Sequence, residues 1–532
     1  MIINPYIYGV ATSYDPDAQL FFDAQTAAGV TLTTTEKNAV NQWVVDSKAA
    51  NIWTKFKAIY PMVGGTATSH KFNLKNPLDT NAAFRLSFVG GWTHSSTGAT
   101  PNGINAYANT FLVQNLALTL NSIHLSYYSR TTSNGIEVEI GCRDLSLNSS
   151  LLEIRTTGVT YGALNSSPTY ISFTDSDSKG MYTLNRTASN VVKIFKNNII
   201  GVSGTTVSTS APTTYPITIG AFNGAGTTQY YSFKQCAFST IGDGLTDLES
   251  QLFYQITEKY QVALSRNINT TQSFYYNSAY NNETNAFLFS TQITDNTIQT
   301  ATNTLVSDLK TANIFTKMKA IYPMVGGTAT TCKFNLVNAQ DTNAAYRLVF
   351  YGGGTFSSNG YLPNGTNAYV DTFLNPSTAL TLNNTHLSYY SRTNIENTGI
   401  ELGNSNGSGG QLLIALRYTG VGCISDQYNS TTGRITIANA NSQGLYITSR
   451  TTSAIHKLFK NSAQIGATNT GASGALQNYN VYLGAQNQQN AAISFSNREC
   501  AFASIGDGLT DAEALALYNA VNAFQVTLGR NV

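Results

Sequence analysis

Charge is what this chain has least of. Asp, Glu, Lys and Arg make up 11% of its 532 residues, against about 25% in an average soluble domain. Lys and Arg number 30 and Asp and Glu 28, a formal net charge of +2. That balance, with no basic run, gives no electrostatic ground for binding nucleic acid. Cysteine is scarce as well: Cys142, Cys236, Cys332, Cys423 and Cys500 are odd in number and fall at no paired spacing. Neither a disulfide framework nor a CxxC zinc pattern follows from them. Folding in a reducing compartment is expected, with Cys236 and Cys500 as buried strand thiols in matching CAF triplets. No stretch approaches the ~20 apolar residues that cross a bilayer, so no membrane insertion is expected. The opening MIINPYIY lacks the basic start and apolar centre of a secretory leader. If the protein acts outside a cell, release by lysis is the expectation.

In place of charge the chain carries Ser, Thr, Asn, Gly and 31 Tyr. A surface solvated by hydroxyls and amides is common in cell-exterior and virion proteins. The strongest positive signal is duplication. KAIYPMVGG occurs at Lys57 to Gly65 and again at Lys319 to Gly327, inside longer matching stretches that begin at Ala50 and Ala312. One constant offset, 262, carries Pro61 to Pro323 and His124 to His386, and an offset of 264 carries Cys236 to Cys500. A period this long is a whole domain and not a solenoid unit.

The order of patterns within each copy is the same. Residues 1–20 have no partner in the second copy and read as an extended arm, able to add a strand to a neighbour, or as a frayed terminus. Thr33 and Glu36 have capping-box spacing. Ala39, Val40, Trp43 and Val44 then mark one buried helix face, continued by Trp53 and Phe56; Ile298, Ala301, Leu305 and Leu309 repeat the scheme. After the repeated stretch the period becomes two: Phe84, Leu86 and Phe88 (Tyr346, Leu348 and Phe350), LSYYSRT from Leu125 and Leu387, and MYTLNRT from Met181. A strand ending in CAF, a Gly-rich turn with Asp243, Asp247, Asp507 and Asp511, a second capping box (Thr246 with Glu249, Thr510 with Glu513) and a last helix close each copy. The expected domains are an arm at 1–20, a helical segment at 21–60, a sandwich at 61–266, a linker at 267–286, a helical segment at 287–322 and a second sandwich at 323–532. The expected fold is mainly β, with two tandem antiparallel jelly-roll sandwiches, each with a small N-terminal helical segment and a C-terminal helix.

One ordered set of elements supports this. Phe195-Lys196-Asn197 and Phe459-Lys460-Asn461 at a hairpin are followed by a strand ending in Gly-Ala. A further strand, a Gly-rich turn, L-T-D-x-E and a terminal helix complete the set. It resembles the laminin-G-like branch of the concanavalin A-like jelly rolls, over about residues 65–266 and 327–532. KAIYPMVGGTAT, KFNL, GGWTHSSTGATPNG and IGDGLTD together are similar to phage virion proteins of tail-fibre or head-associated type. That resemblance implies a structural or host-recognition role and names no ligand.

Many jelly rolls of this class are glycosidases, so paired acids matter. Glu137 and Glu139 lie two apart on a strand, and a hydrolytic pair needs two carboxylates about 5–9.5 Å apart. The second copy has only Glu401 there, and the Glu-x-Asp-x-x-Glu pattern of laminarinase-like relatives is absent; a solvated strand face is the reading. Asp175 and Asp177 spell a D-x-D turn faintly like a calcium loop, but Asn439 and Asn441 replace them, and a plain turn is read. His70 is matched by Cys332 and His94 by Phe356, so the five histidines form no metal site; His124 and His386 read as hydrogen-bonded structural residues. There is no Gly-x-Ser-x-Gly elbow and no phosphate loop ending in Gly-Lys-Ser/Thr. No catalytic residue, metal or cofactor is expected.

The best binding candidate is the long loop Gly90 to Tyr107, with its copy Gly352 to Tyr369. Sugars are held by aromatic faces against C–H surfaces and by amides or hydroxyls. Trp92, His94, Asn102, Asn105 and Tyr107, and Phe356, Tyr361, Asn364, Asn367 and Tyr369, offer both. A structural loop is the competing reading, since Pro-Asn-Gly is ordinary turn chemistry. Two functions stay open: a non-enzymatic virion structural protein (fibre, spike or head decoration), and a carbohydrate-binding host-recognition adhesin. A polysaccharide-degrading enzyme is the distant alternative. The expected partners are other virion proteins, met through residues 1–20, further copies of the chain, and a host surface glycan.

Overall fold

Why KAIYPMVGG is written twice is answered by what surrounds it in the computed structural model, which describes residues 13–532 apart from 167, 168, 210, 271, 430 and 431. In the first unit Phe56–Tyr60 is a strand paired antiparallel with Cys236–Gly242. On its other side no strand follows among the described residues. A buried strand edge still needs partners for its backbone, and the side chain of Asn73 supplies them. Its Oδ1 accepts from the Ile59 N–H at 2.8 Å, and its Nδ2 donates to the carbonyls of Lys57 at 3.1 Å and Ala83 at 3.0 Å. Asn335 does the same for Ile321, Lys319 and Ala345 in the second unit. This is the reason for the asparagine of KFNL.

Past the strand the chain turns sharply. Met62 sits at φ +50° and Gly64 at φ +81°, and a Cβ on Gly64 would stand 2.6 Å from that of Ser69, so glycine is required there. The buried guanidinium of Arg266, just beyond the terminal helix, secures this turn. It donates to the carbonyls of Met62 (2.7 Å), Pro61 (2.8 Å) and Ala237 (2.8 Å), and to Gln261 Oε1 (2.6 Å).

Each unit is an antiparallel sandwich of jelly-roll type, and the whole chain is mainly β. In the first, an eight-stranded sheet runs Ile199–Gly204, Val191–Lys196, Gly180–Ala188, Ile123–Ser129, Cys236–Gly242, Gly98–Pro101, Trp92–Ser95, with Phe56–Tyr60 also on Cys236–Gly242. The facing sheet runs Ile171–Thr174, Val159–Ser166, Ser149–Thr156, Ile140–Arg143, Pro216–Ile219, Tyr107–Val113, Ser87–Val89, with a short hairpin added. Leu125, Tyr127, Leu152, Ile154, Leu184, Ile194 and Ile241 fill the space between them.

A third layer covers the outer face of the eight-stranded sheet. Helices Thr34–Ala49 and Asp247–Ala263 lie there, joined by aromatic packing: the Trp43 ring is 5.4 Å from Phe56, 5.2 Å from Phe238 and 6.4 Å from Phe253. This explains why every residue of Ile123–Ser129 is buried despite its period-two pattern. Odd positions face the sandwich core, and even positions face the helices. The capping boxes at Thr33, Thr246 and Thr510 are all formed.

The second unit repeats this plan. Its eight-stranded sheet holds Thr385–Ser391 between Cys500–Gly506 and Gly444–Thr452; its facing sheet runs from Val349–Tyr351 through Tyr369–Asp371, Tyr482–Leu483 and Leu402–Ser405 to Ile435–Ile437. Helices Asn296–Thr311 and Asp511–Thr527 belong to it.

The bounds differ from expectation in places. The units divide between Ser278 and Ala279. Of the expected arm, residues 1–12 lie outside the described residues, and Pro16–Ala27 is a helix capped by Asp15. The second helical segment opens earlier than expected, with Asn282–Thr291. Trp53 and Phe56 do not continue a helix; a 3-10 turn, Trp53–Lys55, leads into the strand. Phe84 and Tyr346 sit at φ +59° and +57° after 3-10 turns, so only Ser87–Val89 and Val349–Tyr351 are strand. CAF opens its strand and does not end one. In the expected linker, Phe274 and Tyr276 are buried, and Lys259 donates to the Tyr276 carbonyl at 3.1 Å.

Candidate functional site

The long loops fold on themselves through their amides. Asn102 Oδ1 accepts from the N–H groups of Ile104 (3.0 Å), Asn105 (3.1 Å) and Ala106 (3.1 Å), while its Nδ2 donates to Asn105 Oδ1 at 2.8 Å. Asn105 Oδ1 also accepts from Gly91. Asn364 repeats the arrangement with Thr366, Asn367 and Ala368, and donates to Asn367 Oδ1 at 2.7 Å. These amides hold the turn and keep little capacity for a ligand. Trp92 is half-buried; its Nε1 donates to the Tyr107 carbonyl at 3.2 Å, and its ring packs edge-on to Phe88. Phe356 packs on Phe350 and Tyr361, and Tyr361 is 1% exposed, which leaves it no face for a ligand.

Tyr369 is different. It points outward from the nine-stranded sheet of the second unit, directly across from Tyr351 in the pairing register. Their ring centroids are 4.8 Å apart with planes 14° off parallel. Tyr482, on the next strand, stacks on the other side of Tyr369 at 4.8 Å and 29°. Inward residues alternate with these: Phe350, Val370 and Leu483 pack in or on the core. Three tyrosines thus form a row across three neighbouring strands. Tyr351, at the sheet edge, is 42% exposed, and Tyr482 is 7% exposed. Asp371 lies on the same outward side, holding Asn480 Nδ2 at 3.1 Å and accepting from the Phe373 N–H at 2.7 Å. Burial keeps the Asp371 carboxyl above the usual carboxylate range, against the pull of these donors. In the first unit the corresponding positions are Val89, Tyr107 and Thr218, with one aromatic in place of three. Tyr351 and Tyr482 escape a loop-centred reading of the sequence. The alternation V-Y-L at Val481 to Leu483 marks Tyr482 as outward, but the row exists only through strand register.

The paired acids are not a solvated face. Glu137 and Glu139 are 2% and 0% exposed, and both meet the fully buried Lys234, whose Nζ is 3.0 Å from Glu137 Oε2 and 3.0 Å from Glu139 Oε1. Lys234 lies nearly a hundred residues on, which is why the strand pattern alone misleads. Burial pushes the Glu139 carboxyl up to about 7 in spite of Lys234. Glu137, also opposed by burial, is held below its usual value by Lys234 and the Phe233 N–H. In the second unit Arg498 replaces Lys234 and pairs with Glu401 alone. A pair that attacks a sugar must face it; these acids face a lysine inside the protein.

The remaining candidates are structural. His124 Nδ1 is 2.6 Å from the Asp243 carbonyl and Nε2 is 2.9 Å from Thr240 Oγ1, while His386 meets Asp507 and Ser504 in the same way. Burial pulls both imidazoles down to about 4. His94 pairs with His70, Nδ1 to Nδ1 at 2.9 Å. Asp175 is more than a turn residue: it is buried, ion-paired with Lys196, and accepts from Tyr182 at 2.6 Å. Among the described residues no group of three or more His, Cys, Asp or Glu is arranged to hold a metal ion, and no helix is long and apolar enough to cross a membrane.

No protein-family model matches the chain, and no curated protein matches it in sequence. In structure it is similar to domain 4 of a GH43 extracellular arabinanase from Geobacillus stearothermophilus, solved with arabinotriose, at 17% identity and TM-score 0.24 over 38% of this chain and 98% of that one. It is similar to the CBM40 of a Ruminococcus gnavus IT-sialidase bound to alpha2,3 sialyllactose, at 15% identity and TM-score 0.20 over 26% of this chain and 82% of that one. The NanB sialidase of Streptococcus pneumoniae matches at 12% identity and TM-score 0.21, and the match spans 27% of that sialidase's length. Likenesses this distant leave function to be argued from the side chains of this chain.

Proposed function

We propose that this chain is a non-enzymatic carbohydrate-binding protein whose second sandwich carries the binding face. The observation that carries this reading is the row Tyr351, Tyr369 and Tyr482. Three rings stacked by strand register form a rigid aromatic ridge whose exposed end is Tyr351 at the sheet edge, with Asp371 and Asn480 paired to each other beside it. An aromatic wall with a few fixed polar groups is the usual composition of a small-ligand site, and sugars present C–H faces to rings and hydroxyls to amides and carboxylates. The closed state of Glu137 and Glu139 on Lys234 supports binding without hydrolysis. The test is a glycan array with the full chain and its Tyr351→Ala and Tyr369→Ala variants. A signal lost in both variants supports the reading, and a signal indifferent to both, or shortened polysaccharide chains after incubation, overturns it.

A second, compatible reading is that the protein is a phage virion component, exposing these sandwiches to a host surface glycan. The wording of KAIYPMVGGTAT, KFNL and IGDGLTD favours it. Those residues are scaffold: Asn73, Met62 and Gly64 act on backbone, so the likeness speaks for a shared architecture and not for a shared ligand. Labelling of native particles with an antibody to this chain, read by electron microscopy, tests it; unlabelled particles sink it.

A further inference from the structure

The two units serve as controls for each other, and at one corner they part. In the first unit Glu36 closes its capping box on the Thr33 N–H through Oε2, and its Oε1 accepts from the Gly64 N–H at 2.8 Å. Leu32, buried, comes within 3.0 Å of where a Cβ on Gly64 would stand. A carboxylate and a leucine thus fill the corner between the helix start and the exit of the repeated stretch. In the second unit the matching positions are Thr294 for Leu32, Asp295 for Thr33 and Ile298 for Glu36. Asp295 caps its helix by accepting from the Ile298 N–H at 3.0 Å. No carboxylate takes that place among the described residues, and Gly326, the counterpart of Gly64, is exposed. The corner is instead a cleft of about 400 Å³, lined by Asp295, Ile298, Val325, Gly326, Ser358 and Leu528 among others.

We infer that this cleft binds one neutral sugar residue in the place that Glu36 fills in the first unit. The exposed Gly326 backbone can donate to an oxygen of a molecule seated in the cleft. Asp295 at the rim calls for a donor, and it disfavours an anionic ligand by like charge. Hydroxyls on adjacent carbons of one ring satisfy both. Ile298, Val325 and Leu528 give an apolar wall suited to the C–H face of that ring, and the volume lies within the range of small-ligand sites, about 300–1,000 Å³. Val325 and Gly326 follow the strand Met318–Tyr322 of the eight-stranded sheet, and Ser358 turns a hairpin of the same sheet. The tyrosine row stands on the other sheet. This inference rests on the carbohydrate-binding reading, but it names a separate place.

The test follows Val, Leu and Ile methyl resonances of the full chain during titration with glucose, galactose, mannose and N-acetylglucosamine. Saturable shifts at Val325 and Leu528 with one of these sugars are expected, weakened about ten-fold or more by Ile298→Glu, which restores the carboxylate. Thr294→Leu, the other residue of the first unit, should weaken them as well. Val325 and Leu528 unmoved by every sugar overturns the inference, whatever the glycan array shows. So do shifts that survive Ile298→Glu undiminished. If the array is blank while these methyls shift, the cleft stands and the reading based on the tyrosine row falls.

Discussion

Arg266 donates to the carbonyl of Met62 at 2.7 Å, and Met62 is held at φ +50°. Among the described residues no carboxylate pairs with this buried cation, which is solvated by the carbonyls of Pro61, Met62 and Ala237. Arg530 repeats this on Pro323, Met324 and Ala501, and burial lowers its pKa to about 10, so it stays charged near neutrality. Each arginine therefore ties the end of a terminal helix to the turn that begins a sandwich. Arg266→Met would leave several buried carbonyls unpaired, and a loss of about 3 kcal/mol or more is expected for the first unit. Calorimetry should show one of two transitions moving down with Arg266→Met and the other with Arg530→Met. A single unshifted transition in both variants would count against this role.

Asn73 offers a sharper test, because its two ends do opposite jobs. Asn73→Ala should cost about 2–3 kcal/mol through four lost hydrogen bonds in a buried place, the one from the Lys75 N–H included. Asn73→Asp keeps the acceptor for Ile59 but turns a donor toward Lys57 and Ala83 into a second acceptor, so it should be at least as damaging. Hydrogen exchange at the buried Ile59 amide should speed in both variants. Protection equal to that of the parent chain would show that the side chain does not hold this edge.

Acid should weaken both units through their buried histidines, His124 and His70 in the first and His386 and His456 in the second. A buried imidazole pulled down to about 4, as in His124 and His386, contributes stability that is whole above its ordinary value near 6.5 and is lost as pH falls toward about 4. About 3 kcal/mol per histidine is at stake. Unfolding midpoints measured through this window should fall less steeply in His124→Gln for the first unit only, and an unchanged slope would contradict the assignment.

Glu139 works in the other direction. A carboxyl pushed up to about 7 by burial favours the folded state in its protonated form, so its contribution is lost as pH rises from about 4.5 to about 7. Glu139→Gln should flatten that part of the profile for the first unit while Lys234 keeps Glu137 as partner. A profile identical to that of the parent chain would disprove it.

The tyrosine row can be moved as well as removed. Tyr351→Ala, at an exposed edge, should change stability by about 1 kcal/mol or less while lowering glycan affinity about ten-fold. Val89→Tyr would set a ring directly across from Tyr107 in the first unit and should add a second equivalent of bound glycan by calorimetric titration. Unchanged stoichiometry would mean that the pair alone is not enough.

Much of this architecture is legible in the amino-acid sequence. The duplication, the capping boxes at Thr33, Thr246 and Thr510, and the strands around LSYYSRT all depend on neighbours in sequence, where local rules hold. The structural roles of His124 and His386 follow from their place in those strands. Long-range pairing is what stays hidden. Nothing near Glu137 and Glu139 announces Lys234, and periodicity that says which way Tyr351, Tyr369 and Tyr482 point cannot say that register sets them side by side. In the loops at Asn102 and Asn364, residue types suited to sugar binding also hold the turn itself.

Asn73 and Asn335 carry one more consequence, for assembly. A strand whose outward amides and carbonyls are already matched by a folded side chain gives an incoming chain no template on which to zip. Fibre-like growth by strand exchange is thereby blocked at Phe56–Tyr60 and Met318–Tyr322, and copies of this chain that associate must meet through side-chain surfaces or through other rims of their sheets.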